Sequence, residues 1–108
     1  MDQTYQVVIS RLAEDSLKTI VEYLTQTASD TVAEKVRAGI IEEIRKLAKM
    51  PEKNALLRGV ENLAITYRRA LKWSYRIIYT IEEEDLIVIV VEIDHSSRNP
   101  KELEKILI

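Results

Sequence analysis

Apolar residues return along the first half of the chain at two different periods. Tyr5 to Ser10 is short and β-branched, which predicts an opening strand. Leu17, Ile20, Val21, Leu24 and Ala28 then form one stripe of a helix over roughly residues 11–27, with Ser10 placed to cap it. Polar residues from Thr25 to Asp30 break the stripe, and Ser29 or Asp30 can cap a second helix. Ala33, Val36, Ile40, Ile44 and Leu47 repeat the pattern, Ile41 and Ala48 widen it, and Pro51 stops the helix near Met50. Gly39 sits inside that helix, where Gly costs about 1 kcal/mol relative to Ala. Close approach of another backbone, that of the first helix, would compensate. The two helices form an antiparallel hairpin whose apolar seam needs a flat cover.

The second half supplies the cover. Leu63 to Leu71 reads as a strand with imperfect alternation. Tyr75, Ile77, Tyr79 and Ile81 alternate cleanly on one face of a second strand. Glu82 to Asp85 is a polar turn, and Leu86 to Ile93 is almost wholly apolar, the mark of a central strand. Asn99, Pro100 and Glu102 suit the cap, first and third positions of a short helix ending near Ile106. The order predicts one α+β domain over residues 1–108. An N-terminal strand leads into a helix hairpin packed on a small antiparallel sheet, and a short C-terminal helix follows.

Composition removes chemistries more readily than it names one. Apolar residues at 46% and charged residues at 31% are a globular balance. With no Cys and one His, a thiol nucleophile, a disulfide framework and a zinc cluster are excluded, and no cofactor is implied. No apolar run is long enough to span a membrane, and MDQTYQVVIS lacks the features of a signal peptide, so a cytoplasmic protein is expected.

The net charge of −2 argues against a globally cationic nucleic-acid binder, but the charges are not mixed. Residues 53–76 carry Lys53, Arg58, Arg68, Arg69, Lys72 and Arg76 against Glu61 alone, whereas residues 77–94 carry six acids and no base. The basic block is either a solvated sheet edge that discourages aggregation or an anion-binding face for phosphates or an acidic partner. Tyr67, Trp73 and Tyr75, interleaved with these bases, suit both nucleic-acid surfaces and protein hot spots. A pairing of Arg76 with Glu92 would be a purely structural use of that charge. His95, Ser96 and Ser97 cannot form a triad by themselves. His95 is either a hydrogen-bonded structural residue or the best general acid or base available.

The stretch from Arg68 to Pro100, on this order of elements, resembles the RelE/ParE superfamily of toxins from type II toxin–antitoxin modules. Tyr75-Arg76-Ile77-Ile78-Tyr79 and His95-Ser96-Ser97-Arg98-Asn99-Pro100 carry the resemblance. RelE-like members cut mRNA in the ribosome, holding the scissile phosphate with arginines, and that branch implies a catalytic set of Arg68, Arg69, Arg76 and His95. ParE-like members inhibit DNA gyrase and generally lack the nuclease residues. The YRIIY strand and the H-x-x-R-x-P ending are more similar to this second branch. Arg58, Lys72, Trp73, Tyr75 and Arg98 are the binding candidates. Either branch implies a cognate antitoxin that wraps the toxin with an extended, partly disordered segment, giving a toxin–antitoxin hetero-oligomer. The antitoxin would pair with the sheet or fill a groove along the helices, with an acidic tail on the basic block. A relative without toxicity, kept as an interaction module, is the third reading.

Overall fold

The computed structural model describes residues 4–107. Strand β1 (Gln6–Ile9) leads into helices α1 (Arg11–Thr27) and α2 (Asp30–Lys46). A single 3₁₀ turn (Pro51–Lys53), strands β2 (Arg68–Lys72), β3 (Tyr75–Glu82) and β4 (Ile87–His95), and helix α3 (Pro100–Leu107) follow. Ser10 caps α1 by accepting the Ala13 N–H, and Ser29 caps α2 by accepting that of Val32, so Ser29 rather than Asp30 is the cap. Helix α2 stops short of Met50. Leu47, Ala48 and Lys49 each donate to the carbonyl three residues back, tightening the last turn, and Met50 turns to a φ of 50° before Pro51.

The sheet order is β1-β4-β3-β2. Strands β2, β3 and β4 are antiparallel neighbours, but β1 pairs with β4 in parallel. The expectation of an antiparallel sheet thus holds for two of three pairings. The long path through both helices allows β1 and β4 to run the same way. Strand β4 is central, as its apolar run predicts. Its ladder with β3 passes from Ile78↔Glu92 to Tyr79↔Val90 and leaves Val91 as a bulge. The bulge changes the phase of alternation, so Val88, Val90 and Ile93 all enter the core beneath the helices while Val91 packs on the opposite side.

Two cores result. Ala13, Ile40, Ile44 and Leu47 close over Ala70, Ile77, Tyr79, Val88 and Val90 on one face, and Leu103 of α3 covers Ile78, Leu57, Val60 and Tyr67 on the other. The strand expected from Leu63 begins only at Arg68. Leu57, Val60, Leu63 and Tyr67 recur every three or four residues, and successive turns direct them into the second core. No described helix is long and apolar enough to cross a membrane.

Candidate functional site: a divided cationic sheet

Cross-strand register decides which candidate residues can meet, because directly opposed residues project to the same face. Lys72, Tyr75 and His95 form one row across β2, β3 and β4, and Arg68 pairs with Tyr79 near the other end of β2. Both rows lie on the helix side, with Ala70, Ile77 and Ile93 between them. Leu71, Arg76 and Asp94 form a row on the opposite side, as do Arg69, Ile78 and Glu92. The nuclease set is therefore divided. Arg68 and His95 share a face but stand about 14 Å apart along the strands, and Arg69 and Arg76 occupy the other face.

Arg76 is buried. Its Nε and Nη2 donate to Asp94 Oδ1 and Oδ2 at 2.9 and 2.7 Å, and Nη2 also reaches the Arg98 carbonyl at 3.2 Å. Arg98 stands 3.4 Å from Glu92, 4.0 Å from Asp94 and 3.6 Å from Glu102. The second Glu92 oxygen accepts the Ile93 N–H at 2.9 Å. The structural pairing suggested for Arg76 exists with Asp94 instead of Glu92, because register sets position 94 opposite 76, and Glu92 takes Arg98. This network ties β3, β4 and the start of α3 together. Of its strand acids, the sequence raised Glu92 only as a structural partner and did not raise Asp94. Their signal is two carboxylates at alternate positions of an otherwise apolar strand, which burial permits only with cations.

Arg68 is also engaged. Its Nη1 donates to the carbonyls of Glu52 and Asn54 at 3.0 and 2.7 Å. Beside it, the Tyr79 hydroxyl donates to the Pro51 carbonyl and accepts from Asn54 Nδ2 at 3.0 Å. Burial pushes the Tyr79 phenol above its ordinary 10.0, against the opposing hydrogen bond from Asn54. Among the described residues the half-buried Arg69 and the exposed Arg58 make no ion pair.

His95 is exposed and edge-on to Tyr75, with ring centroids 5.7 Å apart. Its Nδ1 accepts the Ser97 N–H at 3.1 Å and lies 2.7 Å from Ser97 Oγ, so the neutral ring carries its proton on Nε2. Trp73 is exposed, and the Lys72 ammonium lies 4.7 Å from the centre of its ring. The close approach predicted at Gly39 comes from this indole, not from α1: a Cβ on Gly39 would meet Trp73. No metal-ligand cluster exists among the described residues. A cleft of about 380 Å³ along α1 and α2 has Leu17, Val21, Ile41 and Ile9 as its apolar lining. Arg37 at its rim is held by Glu34, whose carboxyl the guanidinium keeps below the usual range through hydrogen bonding and charge.

The family model for the ParE toxin of type II toxin–antitoxin systems, parDE, matches residues 7–100. The chain belongs to the ParE toxin family. No curated protein matches it significantly in sequence. Among solved structures, the ParE-family chain is similar to one from the chromosomal ParDE toxin–antitoxin system of P. aeruginosa, with a TM-score of 0.70 at 15% identity over 86% of this chain and 97% of that one. The toxin–antitoxin complex RelBE2 from Mycobacterium tuberculosis gives 0.63 at 19% identity, covering 88% of this chain and 94% of its own. The archaeal RelE–RelB complex from Pyrococcus horikoshii OT3 gives 0.59 at 20%, covering 89% and 99%. These likenesses establish the shared fold, and the family match makes this chain a type II toxin.

Proposed function

We propose that this toxin arrests growth by binding a protein, DNA gyrase, rather than by cutting mRNA. The buried pair of Arg76 with Asp94 carries the reading. Phosphodiester cleavage needs cations aimed at the charge developing on phosphorus, with a proton-transfer group beside them. The Arg76 fork is filled by a carboxylate, Arg68 by backbone carbonyls, and His95 lies on the opposite face from Arg76. Inhibition by binding needs none of these groups to converge. A cognate antitoxin holds the toxin in a cytoplasmic hetero-oligomer, as the toxin–antitoxin complexes among the structural neighbours suggest. The apolar cleft along α1 and α2 is a groove of the kind its ordering segment would fill.

Induction of the toxin without its antitoxin tests the reading. Growth arrest with loss of reporter-plasmid supercoiling and intact mRNA is expected, also for the variant Arg69→Ala, which removes a cation of the nuclease set and lies outside the helix-side row of Lys72, Tyr75 and His95. Ribosome-dependent mRNA cutting with unchanged supercoiling would contradict it in favour of the nuclease, and undisturbed growth would contradict it in favour of an interaction module.

A further inference from the structure

Two locally unfavourable choices meet at one point of the molecule. Trp73 opens the two-residue turn between β2 and β3 with a φ of 52°, a left-handed conformation that suits Gly or Asn. Gly39 interrupts α2, and a Cβ there would stand 2.5 and 2.6 Å from Cη2 and Cζ3 of the same indole. Together they seat the ring against the α2 backbone, yet Trp73 remains 53% exposed and belongs to neither core. Neither core explains an aromatic ring held in a strained turn and left half in water.

The neighbours of the ring define what would bind it. Lys72 stands over the indole and makes no ion pair among the described residues. His95, whose Nδ1 is occupied by Ser97, presents its Nε2–H at the end of the Lys72–Tyr75–His95 row. The Ser96 N–H donates to the Ser74 carbonyl at 2.7 Å and fixes this segment to the turn. The tip thus offers an aromatic face with ammonium, indole and imidazole N–H donors, a set that complements a carboxylate beside an apolar side chain.

We propose that the β2–β3 tip, built on Trp73, Lys72 and His95, is the docking surface for an acidic segment of the target protein; this rests on the gyrase reading above. A long polyanion fits less well. Nucleic-acid surfaces neutralise many phosphates at once, whereas this tip offers one ammonium, and the Glu82–Asp85 turn makes the opposite end of β3 acidic.

Trp73 is the only tryptophan, so a fluorotryptophan label gives one fluorine NMR resonance that reports on the tip. Purified gyrase is expected to shift or broaden it. Trp73→Asn, which suits the turn, is expected to weaken gyrase inhibition about thirty-fold, as loss of an interfacial hot spot does. Lys72→Glu is expected to do the same, with melting temperature and antitoxin affinity retained in both variants. Full inhibition by both variants overturns the surface, and so does a resonance moved by single-stranded DNA and not by gyrase. Failure of the unaltered chain to inhibit gyrase would instead overturn the gyrase reading, and the surface with it.

Discussion

Burial decides what each arginine of the sheet can do. Arg76 has given its whole fork to Asp94, Arg68 has given Nη1 to two carbonyls, and Arg69 and Arg58 make no ion pair among the described residues. A buried ion pair contributes little over apolar packing, but breaking one strands a charge. Arg76→Ala is therefore expected to cost about 3–5 kcal/mol, and Arg76→Met combined with Asp94→Leu to recover most of it; urea denaturation midpoints read both. Loss of toxicity in Arg76→Ala alone would then report unfolding rather than chemistry. Tyr79 makes a prediction in pH. Its phenol stays neutral to a higher pH in the folded chain than its ordinary 10.0, mainly through burial. The stabilisation is fully present below pH 10 and is lost as pH rises through the folded value. Tyr79→Phe is expected to cost about 1–3 kcal/mol by orphaning its partners and to flatten the alkaline fall in melting temperature. The buried Tyr67 and Tyr5, shifted the same way, contribute alongside it.

At the scale of elements, α1 and α2 were legible because each obeys one period and opens on a serine cap, α3 from its Asn99-Pro100 start, β3 from its alternation and β4 from its apolar run. The segment before Arg68 was not. Its apolar residues serve the second core through turns, and a strand template misreads that spacing. The side-chain pairing across β3 and β4 was hidden too, since one bulged residue, Val91, changes the phase and brings Asp94 to Arg76. Gly39 announced a close approach, but only the turn at Trp73 reveals whose. Gly39→Ala is expected to displace the indole, shift its fluorescence to the red and leave melting temperature no higher. In a Trp73→Asn background the same change is expected to stabilise by about 1 kcal/mol, the intrinsic helix preference of Ala over Gly. Helix α3 is anchored by Leu103, which is fully buried. Leu103→Ala is expected to cost about 2–5 kcal/mol in a denaturant titration.

For the whole molecule, the near-zero net charge conceals an uneven distribution. Lys72 stands beside the β2–β3 turn and the acids Glu82 to Asp85 lie at the opposite end of β3, while Arg76 and Asp94 cancel inside. Sequence counting locates the two blocks but cannot separate cations on display from cations locked away, because that depends on register and burial. Among the accessible features are a tip of the exposed Trp73 and His95 with the half-buried Lys72, and a cleft along the helix hairpin. Under the proposed function both serve recognition, and neither assembles the arginines around a reacting phosphate. Protein recognition, without nuclease chemistry, is the function we propose. The most direct test is a supercoiling assay with purified gyrase and purified toxin on relaxed plasmid. Dose-dependent loss of supercoiling, relieved by the antitoxin, is expected. Unimpaired supercoiling at saturating toxin would contradict it.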